Sequence, residues 1–486
     1  MKVGFISLGC PKNLVDTEVM MGQLAARGHR LTARPEEADV IVVNTCGFIR
    51  PAQQESVDAI LEMARHKASG GVKKLIVAGC LVERFGEEIR QEMPEVDALV
   101  GVNDIGRVVE ICEGRAAAAR TNRPYLYTHL TPRLLATPPH YAYVKIAEGC
   151  DHACAFCIIP QLRGAYRSRP PDSIVAEAEG LLARGVREIN LVAQDTTGYG
   201  EDLGLKDGLA ALLERLAGVA ARRGAWVRFL YAHPNKITDR LLETLAAHPV
   251  LVRYLDIPLQ HASARVLRRM RRGGSGRIYL RLIEKIRRAL PGVALRTSML
   301  VGFPGETQAD FEGLCRFVEA AEFDHLGVFA YSDEDSSASY QMDGKLDRRT
   351  IRGRERRLMA IQRGISRARL RRLRGSEIRV LVEGVHRETD LLWQARAAWQ
   401  APEIDGVCLI NEVEGAAPRP GELRRMRVTA THDYDLVGTL LAQPLPDGRG
   451  SVTACGPRAE PRTSASGRRD AQPLMTPRVA SQEQRP

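Results

Sequence analysis

The sequence predicts an α/β protein in three parts: an N-terminal parallel-sheet α/β domain, a central partial (β/α) TIM-like barrel and a small C-terminal β-barrel. Short β-branched runs alternate with helix-compatible stretches from Met1 to about Arg115, and again from Tyr141 to about Tyr331. A proline-bearing stretch separates the two series, and beyond Glu377 the pattern changes to short strands bounded by Gly and Pro.

Length supports a multidomain reading, because 486 residues exceed what one hydrophobic core organises. With 44% hydrophobic and 27% charged residues the composition is that of a soluble protein, and no apolar run reaches the roughly 20 residues of a membrane helix. The start, MKVGFISLGCPKN, lacks the long apolar region and cleavage site of an export signal, so a cytoplasmic location without membrane attachment is expected. In that setting ten cysteines predict metal or redox chemistry rather than disulfides. A net charge of +11 suits an acidic partner only where the charge is focused on one surface.

Within residues 1–115 the strands VGFISLGC, ADVIVVNTC and KLIVAGC are continuous apolar runs, the pattern of a parallel sheet covered on both faces. Each ends in a cysteine, Cys10, Cys46 and Cys80, about 35 residues apart. The C-terminal edge of such a sheet is where α/β proteins bind ligands, so the topology brings these three to one edge. Residues 116–139, an Ala run followed by TPRLLATPP, read as a linker.

Residues 140–372 hold six strand-like runs separated by amphipathic helices: YAYVKIA, EINLVAQD, WVRFLYA, YLDIPLQ, ALRTSMLVGF and HLGVFAY. Near their end, Lys345 to Arg374 carries 13 Lys or Arg against Asp347 and Glu355 on a helical pattern. It reads as a solvated connecting helix or as a contact for RNA or the ribosome. Residues 373–441 supply the strands EIRVLVEG, GVCLINE, LRRMRVTAT and YDLVGTLL of a small β-barrel. The remainder, 442–486, is rich in Pro, Gly, Ser, Arg and Gln and is expected to be a disordered tail.

The sharpest chemical signal is EGCDHACAFCIIP, directly after the first barrel strand. Cys150, Cys154 and Cys157 form a Cys-x3-Cys-x2-Cys loop. Four-iron clusters commonly take four thiolates, and three leave one iron open for a chelating small molecule. A zinc site would want a fourth ligand, which His152 could supply, and a metal-free redox cluster is a further reading. The spacing and its place at the first barrel strand resemble the radical S-adenosylmethionine superfamily. That resemblance implies a 4Fe-4S cluster whose open iron is chelated by the amino and carboxylate groups of S-adenosylmethionine. It places Gly302, Pro304, Gly305 and Glu306 beside the adenosine part of the cofactor, where Gly gives close backbone approach. Gln194, Asp195, Gln260 and Arg296 are candidate polar groups of the pocket, with structural hydrogen bonding as the alternative for each. Phe156 is a candidate cover for the cofactor or a core aromatic.

Any one of Cys10, Cys46 or Cys80 alone would read as a buried apolar cysteine. Together ISLGCPKNLVDTE, NTCGFI and VAGCL resemble the N-terminal domain of the methylthiotransferases, and the likeness continues through QDTTGYG, DIPLQH and VGFPGE to about Leu441. It implies that these three cysteines hold a second 4Fe-4S cluster and that the last domain is a TRAM β-barrel. Cys112, Cys315, Cys408 and Cys455 match no motif.

Members of that family modify either transfer-RNA adenosine or an aspartate of a ribosomal protein. Pro11 and Lys12 in SLGCPKN, with APEIDGV and DYDLVG in the last domain, resemble the RimO-type enzymes that act on a small-subunit ribosomal protein, number twelve. Charge agrees: Glu377 to Leu441 carries seven Arg and no Lys against eleven acids, a balance of −4, a poor match to a phosphate backbone. The resemblance implies that a 5′-deoxyadenosyl radical takes hydrogen from the aspartate β-carbon, which then receives a methylated sulfur, with a second S-adenosylmethionine as methyl donor. A sulfur carrier, an electron donor and the ribosomal protein or assembling small subunit are the implied partners. A tRNA methylthiotransferase, and a non-enzymatic iron-sulfur module binding RNA or the ribosome, are the alternatives.

Overall fold

The computed structural model describes residues 1–115 and 124–442. The expected tail and part of the expected linker, 116–123, lie outside the described residues, as does Cys455.

The N-terminal unit is built on β1 (Lys2–Ser7), β2 (Arg30–Thr32), β3 (Val40–Thr45), β4 (Lys74–Gly79) and β5 (Ala98–Val100). Its helices are α1 (Pro11–Ala26), α2 (Arg50–Ala68), α3 (Cys80–Glu92) and α4 (Val108–Cys112). The sheet is wholly parallel in the order β2-β1-β3-β4-β5. Helices on both faces bury every residue of β3, which is why that strand is an unbroken apolar run ending in Asn44 and Thr45. The strand order reverses between β1 and β3, and at such a switch point the loops diverge and leave a crevice. Cys10 and Cys46 follow those two strands, and Cys80 opens the helix after β4.

The chain then crosses to the barrel by an irregular segment, which is nonetheless anchored. Arg133 is buried and bonded to Glu18 of α1, to Glu177 and to the Tyr143 carbonyl. Tyr127 is 2% exposed.

The barrel comprises β6 (Tyr141–Lys145), β7 (Ala147–Glu148), α5 (Ile159–Arg163), β8 (Arg167–Ser168), α6 (Pro171–Ala183), β9 (Glu188–Val192), α7 (Gly208–Ala221), β10 (Trp226–Phe229) and α8 (Asp239–Ala247). It continues through β11 (Tyr254–Asp256), α9 (Ala264–Arg269), α10 (Gly276–Ala289), β12 (Ala294–Val301), α11 (Gln308–Ala321) and β13 (His325–Ala330). The six expected strands are β6, β9, β10, β11, β12 and β13. They form two three-stranded parallel sheets, β10-β9-β6 and β11-β12-β13, joined where Val227 bridges Leu251. Side chains on the outer strand faces, such as Ala142, Val144, Ile189 and Leu191, pack under the helices. The inner faces carry Tyr141, Tyr143, Trp226 and Tyr254 toward the N-terminal unit and the last domain.

The basic stretch becomes α12 (Arg348–Arg371). It is more than a solvated connection, because Ile351, Arg354, Leu358, Gln362 and Ser366 recur at helical spacing and are buried on one face. The last domain is a closed barrel of β14 (Glu377–Val385), β15 (Trp393–Ala397), β16 (Cys408–Val413), β17 (Leu423–Thr431) and β18 (Leu436–Leu440), in the order β14-β15-β16-β18-β17. Four of these strands match the expected runs. The fifth, β15, is WQARA, whose polar residues conceal it until Arg396 is seen in buried ion pairs with Glu188 of β9 and with Glu383. The loop after β15 enters the lower end of the central barrel. Trp399 accepts from His325, while Glu403 and Asp405 accept hydrogen bonds from Tyr141 and Tyr254.

Candidate functional site

Cys10, Cys46 and Cys80 converge. A Cβ on Gly9 would lie 2.9 Å from Cys46 Cβ, and one on Gly47 would lie 2.8 Å from the Cys80 carbonyl oxygen. Cys10 is the N-cap of α1 with Pro11 at the first helical turn, so the helix start fixes the thiol at the crevice. Cys46 is pinned by Ser56, whose Oγ accepts from the Cys46 N–H and donates to its carbonyl, both at 3.0 Å. Burial pushes the Cys46 thiol up to about 12, with the neighbouring Cys80 and Cys10 adding to the rise. Cys80 is likewise raised by burial, against the pull of Arg163.

The second triplet lies on the loop after β7. The Cys150 N–H donates to Gly164 O at 3.1 Å, Cys157 N–H to Cys154 O at 3.1 Å, and Ala155 is clamped on both sides by Met270 and Ser339. Burial pushes Cys157 to about 12, and the Cys154 and Cys150 thiols add to it. Arg272 donates to Cys154 Sγ at 3.4 Å.

Crowded thiols of this kind ionise together only against a strong positive charge, which iron supplies. Among the described residues no three His, Cys, Asp or Glu side chains converge closely enough for one metal ion. A four-iron cluster needs no such convergence, since each thiolate takes its own iron. His152 is engaged elsewhere, bonded through Nε2 to Asp195 at 2.7 Å and stacked on His233 at 4.3 Å. The donor chemistry therefore fits two clusters better than zinc.

A buried polar network that the motifs did not reveal joins the two triplets. Arg163, at the end of α5, is 2% exposed. Its Nε and Nη2 reach Cys80 Sγ at 3.3 and 3.2 Å, Nη1 reaches Asp16 at 2.7 Å and Glu148 at 3.1 Å, and Nη2 also reaches Asn13 at 3.1 Å. Lys145 binds Glu148 at 2.6 Å and also Asp16. Glu148 stands two residues before Cys150, so one guanidinium ties an N-terminal cysteine to the base of the barrel loop. The Glu148 pKa is held well below the usual carboxylate range by Arg163 and Lys145, against burial. Glu148 adjoins the cysteine motif and Arg163 lies six residues past Cys157, but only the docking of the domains sets them against Asp16 and Cys80.

The remaining expected residues divide. Gln194 donates to Glu148 Oε1 at 2.7 Å, and its own Oε1 is buried without a partner, an acceptor open to a donor such as the amino group of S-adenosylmethionine. Gln260, at φ +71°, splices β11 to β12 through backbone bonds with Ser298 and Leu300, and its side chain bonds to none of the described residues. Phe156 meets Phe303 edge-on at 6.5 Å. Asp195 is largely committed to structure. It caps its own turn, accepts from His152 and Thr197, and is held down to about 2 by those bonds against burial.

Arg296 departs from the expected rim. It is the third residue of the eight-residue β12 and is paired in the lower lumen with Asp256 at 3.2 Å and Asp405 at 3.4 Å. The Gly302 Cβ position is filled by Ile351 of α12 at 2.4 Å, and that of Gly305 faces Arg269 Nε at 2.9 Å. The close approach that requires glycine is thus to α12 and Arg269. Pro304 accepts from Arg269 at 3.0 Å, and buried Glu306 accepts from the Gly302 N–H and lies 3.2 Å from Arg354. Cys112, Cys315 and Cys408 are buried away from both triplets.

An incomplete parallel barrel with a three-cysteine loop beside its first strand defines a radical S-adenosylmethionine core, and residues 144–318 match the model of the Radical SAM superfamily. Residues 2–101 match the model described as Uncharacterized protein family UPF0004, and residues 375–441 match the TRAM domain. The chain is 67% identical to the ribosomal protein uS12 methylthiotransferase RimO of Solibacter usitatus, covering 91% of this chain and 95% of that one. It is 52% identical to the protein of the same name from Koribacter versatilis, covering 90% and 96%. In fold it is similar to the radical S-adenosylmethionine methyltransferase TsrM of Kitasatospora setae, with a TM-score of 0.50 and 14% identity over 68% of this chain and 74% of that one. The chain belongs to the RimO family of radical S-adenosylmethionine methylthiotransferases. Among the described residues no helix is long and apolar enough to cross a membrane.

Proposed function

We propose that this chain methylthiolates the β-carbon of an aspartate in ribosomal protein uS12, using two 4Fe-4S clusters and two molecules of S-adenosylmethionine. Cys150, Cys154 and Cys157 hold the cluster that binds S-adenosylmethionine, and Cys10, Cys46 and Cys80 hold the auxiliary one. The observation that carries this is Arg163, which bonds Cys80 Sγ and Glu148 at once and so sets both triplets against the same barrel mouth. The relatives named for uS12 support the substrate, as does the acidic last domain. Its surface carries less free positive charge than its arginine count suggests. Arg396 and Arg424 are buried, and Arg425 and Arg427 pair with Glu377 and Glu414.

When bound, the cofactors supply a 5′-deoxyadenosyl radical and a transferable sulfur. The protein's part is to position and to exclude water. The clamped 150–157 loop carries the three thiols, and Gln194, bonded to Glu148 at the base of that loop, offers Oε1 as an acceptor. Arg163 and Arg272 donate to sulfur, steadying negative charge on Cys80 and Cys154. Phe156 on the cysteine loop packs edge-on against the buried Phe303, which steadies the loop on the core.

Anaerobic reconstitution tests the reading. The full chain should take up about eight irons, two four-iron clusters, and form 5′-deoxyadenosine with dithionite and S-adenosylmethionine. A fully loaded protein that forms none is the non-enzymatic module instead. Methylthio adenosine in tRNA, with uS12 unmodified, would select the tRNA reading.

A further inference from the structure

We propose that Lys12 is the group that binds the side-chain carboxylate of the substrate aspartate. The inference rests on the aspartate reading above and adds the residue that recognises it. Lys12 lies in the first turn of α1, two residues past Cys10, and its ammonium sits 3.6 Å from the centre of the Tyr231 ring. Tyr231 is the second residue past β10 and is held at φ +65°. Through that contact Lys12 links the start of α1, next to Cys10, to the segment after β10 in the barrel. The ammonium therefore lies beside Cys10 against a barrel segment whose His233 stacks on His152 of the second cysteine loop.

Among the described residues no carboxylate forms an ion pair with it. Each other cation at this site is otherwise engaged. Lys145 is paired with Asp16 and Glu148, Arg163 with the same two carboxylates, and Arg296 with Asp256 and Asp405. Arg272 donates from Nη1 to Cys154 Sγ and from Nη2 to the Pro258 carbonyl, with Nε alone unpartnered among the described residues. A half-buried ammonium set against a ring face recovers only part of its lost hydration energy, and an anionic ligand completes the site. In aspartate the reacting β-carbon carries the carboxylate. Fixing that carboxylate on Lys12 leaves the β-carbon one bond away, between the radical source and the sulfur donor. An amide in its place would lose the charge-assisted bond.

The test is a cycle of binding titrations, run anaerobically on the reconstituted full chain without reductant. The probes are uS12 and its variant with the modified aspartate changed to asparagine. The wild type should favour the aspartate form by roughly 10- to 100-fold, the span of a hydrogen bond to a charged group. Lys12→Gln should bind the two forms equally, and Lys12→Arg should keep most of the preference. Iron is counted for each variant. Lost discrimination at full iron loading supports the proposal. Unchanged discrimination in Lys12→Gln overturns it, as does equal binding of both forms by the wild type. Lost discrimination accompanied by lost iron also overturns it, and assigns Lys12 to the auxiliary cluster. Failure of the aspartate reading shows separately, as a wild-type enzyme that leaves every aspartate of uS12 unmodified.

Discussion

Arg163 donates to the sulfur of Cys80 from two of its nitrogens, at 3.3 and 3.2 Å, across an 83-residue separation in sequence. The same side chain neutralises Asp16 and Glu148, all three being nearly inaccessible to solvent. Replacing it by methionine leaves two buried carboxylates sharing Lys145 alone. Truncating one partner of a buried pair costs about 3–5 kcal/mol, so Arg163→Met should lower the urea midpoint sharply, with Arg163→Lys in between. A midpoint equal to the wild type would contradict the network.

The cysteines separate into two classes by iron content. Alanine at Cys10, Cys46 or Cys80 should remove about half the iron of the reconstituted chain, as should alanine at Cys150, Cys154 or Cys157, since each set holds one of two four-iron clusters. Cys112 and Cys408 are buried, which pushes both thiols up to about 12. Alanine at either should leave iron unchanged, and both should resist alkylation at neutral pH in the folded protein.

Gly302 tests the packing of α12 on the barrel. At φ +80°, with Ile351 Cγ1 2.4 Å from its Cβ position, Gly302→Ala combines left-handed strain of about 1–2 kcal/mol with overpacking of about 1–3 kcal/mol. Thermal denaturation should show the loss, and Ile351→Ala in the same chain should return the overpacking share. Additive losses in the double variant would mean the two residues do not meet.

Acid titration probes the start of α11. Asp310 closes a capping box with Thr307 and accepts from Ser263 and Arg265, bonds that hold its carboxyl well below the usual range. A group whose pKa is lowered on folding adds stability above its unfolded value, near 3.9, and loses it as pH falls toward the folded one. Asp310→Asn should therefore cost about 1 kcal/mol at neutral pH, as a lost cap does. As pH falls below the unfolded value and through the lowered folded one, the wild-type carboxyl is neutralised and the difference should narrow.

Much of this architecture is legible in the sequence because each parallel strand is a self-contained apolar run. ADVIVVNTC and KLIVAGC could hardly be anything else, and cysteines at strand ends inherit their place from the topology. The loop Cys150 to Cys157 is read from contiguous spacing alone. The strand β15 escaped because Arg396, a charged residue, is buried there by partners on two other strands. Gly302 was read for a ligand when the neighbour that demands it, Ile351, comes from a helix whose apolar stripe is hidden among arginines. Asp16, Glu148 and Arg163 look like ordinary charged residues until domain docking withdraws them from water.

The central claim is that two thiol triplets serve one reaction on a protein. The most direct measurement is tandem mass spectrometry of uS12 after anaerobic reaction with the reconstituted chain, S-adenosylmethionine and reductant. A methylthio group on an aspartate side chain, absent when Cys46→Ala or Cys154→Ala replaces the wild type, is the predicted result. Unmodified uS12 from a fully loaded enzyme, or modification that survives loss of the Cys46 thiol, would contradict it.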